Sequence, residues 1–133
     1  MHIVHLEDDA PLRDILRIAL CAADPRTNLR QFISSDDALS YISQHGTEID
    51  AFVLDIRVPG SVDGLGVAQK IREMKYDGAI ILTSAYQRPQ KDVLSTLDCE
   101  WLPKPWHLLE VPQRLMQISK RNKGNDQESL PRI

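Results

Sequence analysis

Two periodicities alternate along this chain. Short, nearly continuous apolar runs occur at His2-Ile3-Val4-His5-Leu6, Ala51-Phe52-Val53-Leu54, Ala79-Ile80-Ile81-Leu82 and Cys99-Glu100-Trp101-Leu102, with a weaker run at Leu29 to Ile33. A continuous apolar run bounded by turn residues reads as a strand buried on both faces. Between the runs, apolar residues recur at spacings of three and four. Leu12, Ile15, Leu16, Ala19, Leu20 and Ala23 predict an amphipathic helix over about 10–23, opened by Pro11 and ended by Asp24-Pro25. Ser34 and Ser35 can cap a second helix from about Asp36 to Gln44, with Ala38, Leu39 and Ile42 inward and Gly46 as its stop. Leu65, Ala68 and Ile71 form the stripe of a third, from Gly64 to about Lys75, stopped at Asp77-Gly78. Pro89 opens a short fourth helix to about Leu97, and Leu115, Met116 and Ile118 mark the last.

Strands alternating with helices imply right-handed βαβ crossovers and a parallel sheet covered on both faces. The predicted fold is a single α/β domain, a flavodoxin-like (βα)5 doubly wound sheet of strand order 2-1-3-4-5. Its bounds are about 1–121. The polar stretch 122–133 has no periodicity and reads as a disordered tail or the start of a linker.

The chain has 133 residues, 42% hydrophobic and 26% charged, an ordinary soluble composition for one domain. The net charge of −3 argues against direct nucleic-acid binding. No apolar run is long enough for a membrane span, and no signal-peptide pattern stands at the start. Cys21 and Cys99 lack metal-ligand spacing and read as buried free thiols of a cytoplasmic protein. His2, His5, His45 and His107 show no ligand spacing either.

The chemistry lies where the strands end. The first strand runs into Glu7-Asp8-Asp9, the third into Asp55, the fourth into Thr83 and the fifth into Pro103-Lys104-Pro105. Side chains at the carboxyl ends of neighbouring parallel strands converge on one crevice, and in this strand order the first and third strands flank the switch point. Each residue alone has an ordinary reading: Asp55 a turn former, Lys104 a solvated charge, Thr83 a strand residue, the acids a helix start. Together they crowd carboxylates that a divalent cation would relieve. An all-oxygen ligand set suits Mg²⁺. A carboxylate beside such a metal is a plausible nucleophile toward phosphorus. Lys104 would offset phosphoryl charge, and Thr83 would donate a hydroxyl hydrogen bond.

With Leu6-Glu7-Asp8-Asp9, Leu54-Asp55 with Pro59 and Asp63-Gly64, Leu82-Thr83-Ser84 and Lys104-Pro105 in place, the chain resembles the receiver domain of two-component response regulators over about residues 2–121. The resemblance implies a Mg²⁺-dependent phosphoacceptor signalling domain rather than an enzyme of independent turnover. It would promote its own phosphorylation and slow autodephosphorylation. Asp55 would be the phosphoacceptor. Asp8, Asp55 and the backbone carbonyl of Arg57 would bind Mg²⁺ directly, and Glu7 through water. Thr83 and Lys104 would sense the phosphoryl group, and Thr83 with Trp101 would form the switch. The implied partners are a sensor histidine kinase or histidine phosphotransfer protein. A phosphorylation-dependent second copy or downstream partner would dock on the fourth helix, fifth strand and fifth helix. The resemblance also implies a cis Lys104-Pro105 bond. The Pro59 to Gly64 loop is one residue longer than the commonest family pattern, the switch position holds Trp rather than Tyr or Phe, and Pro112 delays the last helix to near Val111.

Three rivals are weaker. A haloacid-dehalogenase-type phosphatase needs a second Asp two residues after its nucleophile, and position 57 is Arg. A flavin binder needs a neutral phosphate loop where this chain has Glu7-Asp8-Asp9-Ala10-Pro11. A degenerate receiver serving only as an interaction module is disfavoured by the intact set of acids, Thr and Lys.

Overall fold

The computed structural model describes residues 1–107 and 109–118; the predicted tail over 122–133 lies outside them. Five parallel strands form one sheet: β1 (His2–Leu6), β2 (Asn28–Phe32), β3 (Ala51–Asp55), β4 (Ala79–Ser84) and β5 (Cys99–Pro103). They lie in the order β2-β1-β3-β4-β5, as the sequence predicts. The helices between them are α1 (Ala10–Ala23), α2 (Ser35–His45), α3 (Gly64–Glu73) and α4 (Lys91–Leu97), and a fifth, α5, covers residues 110–118. A 3₁₀ turn, Gly46–Glu48, follows α2.

The sheet separates two apolar layers, because alternate strand residues face opposite sides. Val4, Leu6, Phe52, Leu54, Ile80 and Leu82 pack with Ala38, Ile42, Val67, Ala68, Ile71 and Leu94 of α2, α3 and α4. Ile3, Val53, Ile81 and Leu102 pack on the other face with Leu16 and Leu20 of α1 and Val111, Leu115 and Ile118 of α5. Each fully buried Val, Leu, Ile or Phe side chain among them stabilises the fold by about 1.5–3 kcal/mol relative to exposure.

Several helix details differ from the sequence reading. In α1, Leu16, Ala19 and Leu20 are buried, whereas Ile15, Ala23 and Cys21 lie on the solvent side. The expected buried Cys21 is therefore exposed: one sheet face with α5 alongside needs only a narrow stripe from α1. Cys99 is half-buried, and burial, with Asp98 adding to it against Arg72, pushes its thiol up to about 11. The third helix buries Val67 with Ala68 and Ile71, while Leu65 is only half-buried. It ends at Glu73, not Lys75, because Lys75 turns left-handed (φ 67°) and the Tyr76 N–H reaches back to the Ile71 carbonyl. In α5, Val111, Leu115 and Ile118 are buried and Met116 is exposed; the helix begins at 110, close to the expected Val111.

Candidate functional site

The chain leaving β1, β3, β4 and β5 lines one crevice. Just after β1, Glu7 continues the ladder through its N–H to the Phe32 carbonyl, and its own carbonyl accepts from Arg13 Nη1 at 2.9 Å. The chain then turns at Asp8, and the Asp9 carboxylate caps α1 by accepting from the Leu12 N–H. Asp9 is thereby engaged by the helix, whereas Asp8 is exposed with a carboxylate oxygen near those of its neighbours. In β3, Asp55 pairs in register with Thr83 of β4, and the Ile56 N–H continues to the Thr83 carbonyl.

The long β3–α3 loop is clamped onto the start of α2. Ser34 caps that helix through the Asp37 N–H, freeing buried Ser35 for the loop. The Ser35 N–H donates to the Pro59 carbonyl, its hydroxyl accepts from Val62 N–H, and Asp36 accepts from Ser61 N–H. Gly60 has a φ of 125° beside that Ser35 hydroxyl, a conformation that side chains rarely adopt. At Gly64 a Cβ would lie 2.1 Å from the Asp55 carbonyl oxygen, so glycine lets the start of α3 close against the Asp55 backbone. These contacts hold the longer loop against the start of α2.

From β5, Lys104 reaches into the crevice. Its ammonium lies 2.5 Å from Glu7 Oε1 and 3.0 Å from Asp55 Oδ2. The side chains of Glu7, Asp55 and Lys104 are 1%, 8% and 12% exposed. The Lys104-Pro105 bond is cis, and the Lys104 N–H donates to the Ser84 carbonyl. Burial raises the Glu7 carboxyl to about 7, with Asp55 adding to the effect against Lys104. Burial opposes the Lys104 charge, but hydrogen bonds to Glu7 and Asp55 outweigh it and leave its pKa raised.

Carboxylate oxygens of Glu7, Asp8 and Asp55 lie within 4.8 Å of one another. This hard oxygen set fits Mg²⁺. Among the described residues it is the cluster with metal-ligand geometry, and no histidine joins it. His5, buried two residues before Glu7, has its pKa lowered to about 3, by burial first and then by Lys104 and Arg13. Its Nδ1 meets Gln31 Nε2 at 3.1 Å, and it is a neutral core residue.

The cleft above the acids is also lined by Arg57, Ala85 and Tyr86. The Arg57 guanidinium lies 3.7 Å over the Tyr86 ring, a cation–π contact between two residues that line the cleft. Thr83 is fully buried, and its hydroxyl accepts a hydrogen bond from Trp106 Nε1 at 3.2 Å. Trp101 packs on the opposite side of the sheet, against the α2–α3–α4 layer. Of the residues the sequence singles out, the structure brings Glu7, Asp8, Asp55 and Lys104 together, with Thr83 in register with Asp55. The sequence reading gives no role to Tyr86 or Trp106, because neither carries a motif. Their spacing, three residues after Thr83 and two after Lys104, was the available signal.

Acids, a shared lysine and a buried hydroxyl gather at the switch point of a doubly wound α/β sheet. The response regulator receiver domain model matches residues 3–115, and the chain belongs to that family, the receivers of two-component response regulators. The chain is 30% identical over 129 residues to the response regulator MprA of Mycobacterium leprae, covering 95% of this chain and 54% of that protein. It is 25% identical over 126 residues to the virulence transcriptional regulatory protein PhoP of Salmonella typhimurium, covering 93% and 54%. The chain therefore spans about half the length of the curated relatives it matches. Among solved structures, the signal receiver domain of a Luxo repressor protein of Vibrio parahaemolyticus shares the fold, with a TM-score of 0.79 at 17% identity over 98% of each chain. A complex of the histidine kinase ThkA with the response regulator TrrA also matches, with a TM-score of 0.70 at 26% identity over 87% of this chain and 96% of that one. Among the described residues, no helix is long and apolar enough to cross a membrane.

Proposed function

We propose that this receiver accepts a phosphoryl group on Asp55 from the phosphohistidine of a sensor kinase or phosphotransfer protein. The observation that carries the reading is the bridge of Lys104 between Glu7 and Asp55, with Asp8 facing them. An Asp55 oxygen forms the new bond to phosphorus, the P–N bond to the donor imidazole breaks, and the imidazole takes up a proton from solvent. Lys104 already touches the attacking carboxylate and would follow it onto the phosphoryl oxygens. Asp8, Asp55 and the Arg57 backbone carbonyl would hold Mg²⁺, with Glu7 acting through water. Mg²⁺ would supply positive charge against the oxygens of the transferred group. Thr83 and Trp101 would then shift the α4–β5–α5 surface between two packings, toward a second copy or a downstream partner. The TrrA–ThkA complex, which pairs a similar receiver with a histidine kinase, supports the choice of donor.

The test is mass spectrometry after acetyl phosphate with Mg²⁺. The wild type is expected to gain one phosphoryl group, and Asp55→Asn none. Labelling of the variant equal to wild type would sink the assignment. A phosphatase of the two-aspartate type remains the weaker reading, since Arg57 stands where its acid is required and is turned onto Tyr86.

Two neighbouring acids should separate cleanly. Asp8→Ala is expected to lose most Mg²⁺ affinity in a calorimetric titration while leaving the metal-free fold intact or slightly stabilised, since a like charge is removed. Asp9→Ala should keep Mg²⁺ affinity but lose about 1 kcal/mol of stability with the α1 cap. The same Mg²⁺ affinity in both variants would refute this division.

The label on Asp55 should decay slowly. Neither Arg57 nor Ala85 is a carboxylate or amide suited to position an attacking water, and Arg57, stacked on Tyr86 beside the cleft, would cover the phosphoryl group. Arg57→Asn combined with Ala85→Glu removes the cover and adds polar groups, and should speed the decay. A rate unchanged or slower than wild type would count against the covering role.

A further inference from the structure

We propose that Trp106 is a positioning residue: its indole N–H fixes the Thr83 hydroxyl as a donor toward the phosphoryl group and ties that hydroxyl to the α1–α5 face of the sheet. This rests on Asp55 being the phosphoacceptor. An indole nitrogen can only donate, whereas a hydroxyl has one proton and two acceptor positions. At 3.2 Å, Trp106 Nε1 occupies one acceptor position of Thr83 Oγ1. The hydroxyl proton is therefore directed away from the indole and kept for another acceptor. Thr83 stands in register with Asp55, so an oxygen arriving on Asp55 is the acceptor it would meet.

The anchoring is two-sided. The backbone of Lys104 is hydrogen-bonded to Ser84, and Trp106 follows two residues later. One short loop thus sets both the ammonium on the carboxylates and the indole on the hydroxyl. The Trp106 ring packs against the layer that contains Leu102, Val111 and Leu115. Trp101 packs in the opposite layer. A pull on the Thr83 hydroxyl therefore reaches α5 through Trp106 directly, independently of any movement of Trp101.

The experiment measures beryllofluoride affinity at saturating Mg²⁺ in the wild type, Trp106→Phe, Thr83→Ala and the double variant. Trp106→Phe should weaken binding about fivefold, the effect of losing one neutral hydrogen bond. In the Thr83→Ala background the same change should have almost no effect, because the two residues act as a unit. Equal losses in both backgrounds, or no loss in either, would overturn the proposal. A second measurement needs no change at position 106. The indole N–H resonance of Trp106, identified as the one that survives Trp101→Phe, should shift on beryllofluoride addition and again in Thr83→Ala. A resonance that stays fixed in both cases overturns the proposal even if Trp106→Phe does not fold. If the wild type binds no beryllofluoride, or Asp55→Asn binds it equally well, the phosphoacceptor reading itself fails and this proposal falls with it. If the wild type binds and Asp55→Asn does not, the outcomes at position 106 judge Trp106 alone.

Discussion

Replacing Arg72 with alanine is expected to destabilise the protein by about 3 kcal/mol, through backbone carbonyls left without a donor. Arg72 lies on α3, and its guanidinium collects the ends of neighbouring elements. Nε donates to the Leu97 carbonyl at 2.7 Å, Nη1 to Tyr76 and Gly78 at 2.8 and 3.0 Å, and Nη2 to Asp98 at 3.1 Å. These carbonyls belong to the turn after α3, the entry to β4 and the last turn of α4. Asp98 is left-handed at the end of α4, with a φ of 51°, so its carbonyl has left the helical ladder. Hydrogen bonds from a charged donor contribute about 1.5–3 kcal/mol each when buried, and partial exposure discounts the sum here. The fork of the guanidinium is essential: a lysine offers one point charge and cannot meet carbonyls spread around it. Arg72→Lys should recover less than half of the loss. Urea denaturation reads this as a lower midpoint with an unchanged slope. A midpoint within error of wild type would show that solvent satisfies these carbonyls.

Arg72 also marks a limit of reading this chain from its sequence. The apolar runs located the strands to within two residues, because a strand buried on both faces leaves a continuous signal, and half-exposed β2 left the weakest run. Asp55, Glu7, Asp8 and Lys104 were legible because each stands at the end of such a run, and strand ends of a parallel sheet meet at one edge. Arg72 sits on an ordinary helix and looks like a solvated charge; its partners are backbone atoms, which have no residue signature. Trp106 was opaque for a related reason. Its partner Thr83 lies on β4, and only the path of the loop after Lys104 brings the indole onto it. Helix stripes were read too widely, at Ile15, Ala23 and Leu65, since periodicity gives the apolar face but not how much of it the neighbours cover. Cys21 followed the same error.

Lys104→Met is expected to be costly at pH 8 and mild at pH 6 in the metal-free protein. Lys104 is the shared cation of two nearly buried carboxylates, at 2.5 Å from Glu7 and 3.0 Å from Asp55. Stranding buried charges by removing one partner typically costs about 3–5 kcal/mol. Glu7 has an escape, because burial already pushes its carboxyl up from 4.5 to about 7. Its folded-state pKa lies above the unfolded value, so this group's stabilisation is complete below 4.5 and is lost as pH rises toward 7. The hydrogen bond from Lys104 works against that shift, and its loss moves the Glu7 pKa further up. At pH 6 the variant therefore holds a neutral Glu7, and its loss relative to wild type should stay near 1 kcal/mol. At pH 8 ionising Glu7 beside Asp55 has no compensating cation, and the loss should reach about 3 kcal/mol. Mg²⁺ would replace the missing charge; at a hundredfold excess over its dissociation constant, binding returns about 2.7 kcal/mol by mass action. Urea midpoints at the two pH values, with and without Mg²⁺, carry the test. A cost independent of pH would show that Glu7 does not take up the proton, and a cost untouched by Mg²⁺ would place the cation elsewhere than among Glu7, Asp8 and Asp55.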